Sequence, residues 1–208
     1  MIQRASARAF CLATAVLLGA CAQQAPPIPD TPSPLAWQQH RDTLETISGF
    51  TLRGRINDAN QGRTADLRWI QLGDGDFTLQ LNGPFGIGAV EIEGSAAGVS
   101  VRTRDGTQYL SDPEAWMQAN LGWSIPIRDL RHWTLGLPAP GPLDNLSVDT
   151  EGQLQGLRQN GWDIRYDSYQ TVGQLQLPRK LEARTDQARL RLLIDQWEHL
   201  ELGPNRRS

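Results

Sequence analysis

The chain has 208 residues, which is long enough for one domain with a substantial hydrophobic core. Its 20 basic and 23 acidic side chains give a formal net charge of −3, and the basic residues are scattered, so the sequence offers no electrostatic case for binding nucleic acid. The two cysteines, Cys11 and Cys21, both lie near the N-terminus, which leaves the rest of the chain without a thiol for a disulfide.

Residues 1–20 predict a bacterial signal peptide. Arg4 and Arg8 supply a positive start, and the apolar run from Ala9 to Leu18 is too short to span a bilayer. The block Leu17-Leu18-Gly19-Ala20 leads directly into Cys21, as in a lipobox, where the cysteine is lipidated and becomes the mature N-terminus. The alternative is an ordinary signal peptide that happens to be followed by a cysteine. By resemblance to known sorting rules, Asp at position 22 would indicate retention in the inner membrane, so Ala22 favours export to the outer membrane.

Cleavage before Cys21 would remove two Arg and no acid, leaving 18 basic and 23 acidic side chains and a net charge of −5. Residues 21–34 then form a lipidated, Pro-rich tether, because the five prolines between Ala22 and Pro34 favour an extended backbone. At ~3.1 Å per residue the tether reaches roughly 40 Å. We expect a single domain over residues 35–203 and a short C-terminal tail over residues 204–208.

The first part of the domain is predicted to be a helix followed by strands. Leu35 to Ile47 has the pattern of an amphipathic helix. Asp74-Gly75-Asp76 indicates a hairpin turn, and Asn160-Gly161 is a strong hairpin signal between two strands. Strands buried on one side are predicted from alternating apolar residues in Phe50–Ile56, Phe77–Leu81, Val90–Glu93, Val99–Arg102 and Leu190–Ile194.

Two short helices interrupt the strands. Asp112-Pro113-Glu114 predicts the start of a helix, because it combines a capping residue, a proline in the first turn and an acid near the positive end of the helix. We expect this helix to end near Gly122. A second helix is predicted from about Ile127 to Leu135, with Gly136 and then Pro138 ending it. The fold class is therefore α+β with a large antiparallel sheet.

The segment between the two helices and the residues after it resemble a known family. Ile125-Pro126, Leu130-Arg131-His132-Trp133 and Leu135-Gly136-Leu137-Pro138 follow one another in the order found in the LolB family of outer-membrane lipoproteins. The lipobox, the Pro-rich tether, Gly54-Arg55-Ile56 and Gly83-Pro84-Phe85-Gly86 add to the resemblance, which extends to about Trp197. It implies an open, incompletely closed antiparallel β-barrel of about ten or eleven strands, wrapped around a few short helices, with an apolar cavity.

The resemblance also implies a function and partners. It implies a monomeric receptor, anchored to the periplasmic face of the outer membrane in a Gram-negative bacterium. The receptor would accept triacylated lipoproteins from the soluble periplasmic carrier LolA and insert them into the outer-membrane phospholipid. Apart from the diacylglycerol and N-acyl chain expected on Cys21, no cofactor is implied.

A set of apolar residues is predicted to line the acyl cavity. Each of them could equally be packed core, and the resemblance favours the cavity only for part of the set. The candidates are Trp69, Leu79, Leu81, Ile92, Val101, Trp116, Leu130, Trp133 and Leu135.

The loop Pro84-Phe85-Gly86 is a predicted membrane-insertion site. Pro84 restricts the approach of the chain and Gly86 permits a turn, so Phe85 is expected to be displayed at the tip of a loop. The alternative is that Phe85 folds back into the core. The resemblance favours display, because the family carries an exposed Leu at this position, although Phe85 is itself a departure from that pattern.

The sequence also bears on three other classes of protein: an enzyme, a structural lipoprotein and a carrier of a small ligand. The sequence has no Gly-x-Ser-x-Gly, no phosphate-binding loop and no clustered metal ligands, since His40, His132 and His199 lie far apart, so we expect no catalysis and no metal site. A structural outer-membrane lipoprotein would have a filled barrel that binds no free lipid. A carrier of a small apolar ligand on a similar barrel is the remaining alternative.

Overall fold

The computed structural model describes residues 34–84 and 88–203. These residues form three helices and eleven strands. In chain order they are α1 (Pro34–Leu44), β1 (Ile47–Asp58), β2 (Arg63–Gln71), β3 (Phe77–Asn82), β4 (Val90–Ser95), β5 (Gly98–Thr103), β6 (Gly106–Leu110), α2 (Pro113–Leu121), α3 (Ile127–Thr134), β7 (Leu143–Val148), β8 (Leu154–Gln159), β9 (Trp162–Val172), β10 (Leu175–Arg184) and β11 (Arg189–Leu202).

All eleven strands belong to one antiparallel sheet, in the order β6-β5-β4-β3-β2-β1-β11-β10-β9-β8-β7. Strands β1–β6 form one meander and β7–β11 another, and the two are joined where β1 pairs with β11. The edge strands β6 and β7 do not pair, and the segment that carries α2 and α3 connects them. The predicted α+β fold with an open, incompletely closed sheet is confirmed.

Local chemistry explains why several elements form where they were predicted. The Asp112 carboxylate accepts a hydrogen bond from the Ala115 N–H at 2.9 Å, and α2 ends at Gly122, whose φ of 68° suits a glycine. Asn160 and Gly161 have φ values of 52° and 78°, which a two-residue hairpin between β8 and β9 requires. The prediction of helix α2 and the prediction of the Asn160-Gly161 hairpin are therefore confirmed.

The predicted helix from Leu35 to Ile47 is wrong at its end. Helix α1 stops at Leu44, and Ile47 begins β1, where it pairs with Leu202. Pairing with a distant strand therefore overrides the apolar spacing of the local sequence. Leu35, near the start of the helix, is 63% exposed.

The hydrophobic core lies on the concave face of the sheet. Alternate residues of the strands point inward, among them Leu52 on β1, Leu79 on β3 and Ile194 on β11, and all three are buried. Helix α3 buries Leu130 and Trp133 in the same cluster, and α2 contributes Met117. The two helices thus cover the concave face between the unpaired edges.

Candidate functional site

Eight of the nine residues predicted to line the acyl cavity are buried in the core, and Trp116 is half-buried. Two of the nine, Trp69 and Trp116, line the two cavities described below. The structure therefore brings the candidates together on the concave face. Whether they contact acyl chains stays a prediction.

Helix α3 is fastened to the sheet by buried polar groups. The amide of Gln159, at the end of β8, is 0% exposed; its Nε2 donates to the Ala139 carbonyl at 2.7 Å, and its Oε1 accepts from the Ala139 N–H at 2.8 Å. The same Oε1 accepts from the Trp133 indole N–H at 3.4 Å. The Tyr166 hydroxyl on β9 donates to the Trp133 carbonyl at 3.0 Å. Helix α3 and the loop after it are thereby fixed to the β7–β11 meander.

Helix α2 is attached to the other meander by exposed groups. The Trp116 indole N–H donates to Gln108 Oε1 on β6 at 3.2 Å. Gln61 and Arg63, at the β1–β2 turn and the start of β2, donate to the carbonyls of Gly122 and Leu121 at the end of the helix. Each of these bonds competes with water, so each contributes little to holding the helix in place.

A cavity of about 930 Å³, which we call the wide cavity, lies between α2 and the ends of β3–β6. Its volume is within the range typical of ligand sites. Apolar and polar groups line it, and an ion pair of 2.9 Å joins Arg102 to Glu91 in its wall. The segment between β3 and β4 borders it through Asn82, Gly88 and Ala89. The wall nearest α2 includes Gln108, Val90, Trp116 and Leu121.

A second cavity of about 370 Å³, the narrow cavity, lies at the opposite end of β3. It is enclosed by the end of β2 and the β2–β3 turn on one side and by α3 on the other. The side chains that line it are mainly apolar or aromatic on the sheet and charged on the helix. They include Trp69, Gln71, Phe77, Ile127, Arg128 and Arg131.

Several half-buried groups of α2 and α3 have displaced pKa values, among them Glu114 and His132. Burial raises the pKa of the Glu114 carboxyl, against the hydrogen bond that it accepts from the Arg128 N–H. Burial lowers the pKa of the His132 imidazole, the positive charge of Arg131 lowers it further, and Asp129 opposes both. Partial burial therefore favours the neutral form of each group.

Three predicted site residues lie outside the described residues: Cys21, the predicted lipid attachment site, and Phe85 and Gly86 of the predicted membrane-insertion loop. Pro84 is described and is exposed, and β3 ends at Asn82 while β4 begins at Val90. The predicted membrane-insertion segment thus connects two strands beside the wide cavity, and the placement of the Phe85 side chain stays a prediction.

The described residues contain no group of three or more His, Cys, Asp or Glu side chains arranged to hold a metal ion. Within the same ranges, none of the helices has the length and apolar character needed to cross a bilayer.

Gln71, which lines the narrow cavity, and Gln159, which holds α3, are not among the site residues predicted from the sequence. Both stand two positions after a buried apolar residue, Trp69 and Leu157, so strand alternation directs them inward. An inward-facing glutamine in an apolar strand is a detectable signal, because such a side chain needs a buried partner.

Comparison with known proteins identifies one family and several relatives. The model of the family "Outer membrane lipoprotein LolB" matches residues 48–197. An outer-membrane lipoprotein LolB from Nitrosococcus oceani is 37% identical over 90% of this chain and 94% of its own length. Proteins of the same name from Stutzerimonas stutzeri and Chromohalobacter salexigens are 32% and 34% identical, over 91% and 94% of this chain and 94% and 92% of their own lengths.

Among solved structures, the crystal structure of a LolA superfamily protein from Nitrosomonas europaea is similar to this chain. The TM-score is 0.53 at 10% sequence identity, and the match covers 81% of this chain and 95% of the other. At that identity the similarity concerns the fold alone.

Proposed function

The chain belongs to the LolB family of outer-membrane lipoproteins, and from that premise we propose that it accepts triacylated lipoproteins from a soluble periplasmic carrier of the LolA type and inserts them into the outer membrane. The predicted outer-membrane location is confirmed by the family. The similarity in fold to a LolA superfamily protein supports the choice of donor, since two proteins with similar open sheets can each cover the same acyl chains. The proposal contains no catalytic step.

The observation that carries the proposal is the incompletely closed sheet with an apolar concave face, covered by two short helices. Burying one CH₂ group is worth ~0.8 kcal/mol, so exposing a sixteen-carbon chain to water costs roughly 10 kcal/mol. Three such chains need a continuous apolar surface during transfer. A sheet with unpaired edges can supply that surface, because its helices can move without breaking strand pairing.

The concave face is packed, so acyl chains must displace part of what covers it. Leu130 and Trp133 on α3 are buried and the helix is held by Gln159 and Tyr166. Trp116 on α2 is only half-buried and already borders the wide cavity. We therefore place the entry of the acyl chains at the wide cavity, with α2 moving away from β6.

Reconstituted transfer tests the proposal and the role of Cys21. One labelled lipoprotein is loaded on the soluble carrier and incubated with liposomes and this protein. Because the lipid on Cys21 anchors the domain without contacting the cargo, a soluble Cys21→Ala protein should still accept the lipoprotein, measured by co-purification. The wild-type protein in the liposomes is the matched control. Failure of both forms to take cargo from the carrier would contradict the proposed function.

A second test concerns Phe85 and the release step. Burying a Phe side chain is worth ~1.5–3 kcal/mol, far less than the lipid anchor provides, so we assign Phe85 to opening the bilayer and not to holding the protein there. Phe85→Glu should leave the free energy of unfolding and acceptance from the carrier nearly intact while blocking insertion into liposomes.

Leu72→Glu is the matched control, because Leu72 is an exposed apolar residue that follows β2 at the other end of β3. It should insert cargo at the wild-type rate. A Phe85→Glu protein that inserts cargo normally would contradict the role of Phe85 in release. A loss of several kcal/mol of stability would show that the side chain packs in the core instead.

Saturable binding of a hydrophobic dye separates the proposal from a purely structural lipoprotein. Leu81 lies on β3 and is buried, so Leu81→Glu should weaken dye binding or the fold. Circular dichroism distinguishes these two effects. A folded wild-type protein without saturable dye binding would support the structural alternative.

A further inference from the structure

Two buried polar atoms in the narrow cavity have no hydrogen-bond partner. Trp69 is 0% exposed and Gln71 is 2% exposed, and neither the Trp69 indole Nε1 nor the Gln71 Oε1 has a partner among the described residues. Both side chains line the narrow cavity. Since a buried polar atom without a partner destabilises a fold, a donor and an acceptor left open in one cavity point to a ligand.

The orientation of each atom is fixed. The Gln71 Nε2 donates to the carbonyls of Leu72 and Asp76 at 3.3 and 3.1 Å, so reversing the amide would set its oxygen against two carbonyl oxygens. The Trp69 ring packs between Phe50 and Phe77, with ring centroids 6.2 and 6.3 Å away. Two side chains that line the cavity therefore leave one acceptor, Gln71 Oε1, and one donor, the Trp69 N–H, without a partner.

The remaining walls suit a polar group attached to an apolar chain. Trp69 and Gln71 are two positions apart on β2, on the concave face, roughly 7 Å apart along the strand. Phe77 and Ile127 give the cavity apolar sides. The Trp69 ring also packs against Phe50 in the hydrophobic core. A ligand bound here can thus place a polar linkage against β2 and a hydrocarbon chain against the sheet.

We propose that the narrow cavity binds the secondary amide that joins an acyl chain to the N-terminus of a lipoprotein. The amide carbonyl accepts a hydrogen bond from the Trp69 indole N–H, and the amide N–H donates to Gln71 Oε1. A carboxylic ester has the carbonyl but no N–H, so it leaves Gln71 Oε1 without a partner. The cavity would therefore distinguish an N-acylated lipoprotein from a glycerophospholipid, whose chains are joined by esters. This inference rests on the proposed function.

Two probes that differ only in the linkage test it: N-methyldodecanamide and methyl dodecanoate. Each displaces a hydrophobic dye from the full-length protein, and the ratio of the two affinities is measured within each variant, so a partly unfolded fraction cancels. The amide is the more strongly hydrated probe, so it binds an apolar site less tightly than the ester unless its N–H finds a partner there. Gln71→Met removes that partner and should lower the amide-to-ester ratio of affinities roughly 2- to 10-fold from its wild-type value, as one hydrogen bond contributes. Trp69→Phe should weaken both probes by similar factors.

Trp162→Phe is the matched control, because the Trp162 ring packs against Trp133 and does not line the narrow cavity. It should keep the wild-type ratio. An amide-to-ester ratio that Gln71→Met leaves unchanged would overturn the inference and indicate that water satisfies the two atoms, while lipid binding itself would stand. A wild-type protein that binds neither probe saturably would contradict the proposed function as well.

Discussion

Helices α2 and α3 have similar lengths and lie in the same segment between the sheet edges, but different contacts attach them to the sheet. Helix α3 buries Trp133, and its polar partners Gln159 and Tyr166 are buried as well. Helix α2 also buries Met117, but it keeps Trp116 half-buried, and its hydrogen bonds to the sheet come from Gln61 and other exposed donors. A hydrogen bond shielded from water fixes an element more firmly than one that water can replace.

Helix α2 also carries its own end signals. Asp112 caps its first turn and Gly122 ends it, so the helix needs little from the sheet to keep its shape. The difference between the helices therefore concerns their attachment to the sheet and not their helicity, and we expect α2 to be displaced more easily than α3. Three predictions test this comparison.

The largest expected effect comes from the tryptophan of each helix. Trp133→Ala should lower the free energy of unfolding by about 3–5 kcal/mol, because a buried aromatic leaves a cavity. Trp116→Ala should cost about 1 kcal/mol, since its ring is partly hydrated in the folded state. Urea unfolding followed by circular dichroism measures both. Equal losses would mean that the helices are equally fixed.

A smaller difference is expected from the glutamines that hold the helices. Gln159→Leu removes the partners of the Ala139 N–H, the Ala139 carbonyl and the Trp133 indole, and should cost about 2–3 kcal/mol. Gln61→Leu removes an exposed bond to the Gly122 carbonyl and should cost less than about 0.5 kcal/mol. Urea midpoints provide the comparison. A Gln159→Leu protein as stable as the wild type would remove the reason for treating α3 as fixed.

The smallest effect concerns pH, and the two helices should respond with opposite signs. Folding lowers the pKa of His132 from its usual 6.5, so the folded state binds fewer protons and stability falls as pH decreases from about 6.5 through the folded pKa. Folding raises the pKa of Glu114 from 4.5, so its contribution is present below 4.5 and is lost as pH rises through the folded pKa.

Both groups are partly exposed, so each effect should stay below about 1 kcal/mol. His132→Gln should therefore make stability less sensitive to mild acid, and Glu114→Gln should make it more sensitive. Urea unfolding between pH 4 and pH 7.5 measures the two slopes. Slopes that change in the same direction in both variants would contradict the assignment of the groups.

The sequence correctly predicts the elements whose structure depends on residues close to one another in the chain. Asp112 and Gly122 mark α2, and Asn160-Gly161 marks a hairpin, because each residue type satisfies its own backbone. Strands β6 and β7 were not identified, since edge strands are largely exposed and lose the apolar alternation. Strand β10 was also missed, because Pro178 and a register shift next to it interrupt its pattern.

The candidate site could be predicted only as a set of inward-facing residues. Alternation correctly places Leu79, Ile92 and Val101 in the interior. Which residues border a void depends on how side chains from distant strands meet α2 and α3, and spacing along the chain carries no information on that. The open hydrogen-bonding atoms of Trp69 and Gln71 are a further example, because they result from the absence of a neighbour in space.

The pairing of β1 with β11 has a consequence for the order of folding. The bond from the Ser48 hydroxyl to the Glu201 carbonyl joins residues 153 positions apart, so the centre of the sheet depends on the most distant parts of the sequence. Contacts of such high order close late and slowly, on a scale of roughly milliseconds to seconds in small β proteins. A chain that crosses the inner membrane N-terminus first can form the β1–β6 meander early. Strand β1 can pair with β11 only after β11 has crossed the membrane. We therefore expect the two meanders to join into one sheet with a shared concave face only after β11 is available for pairing.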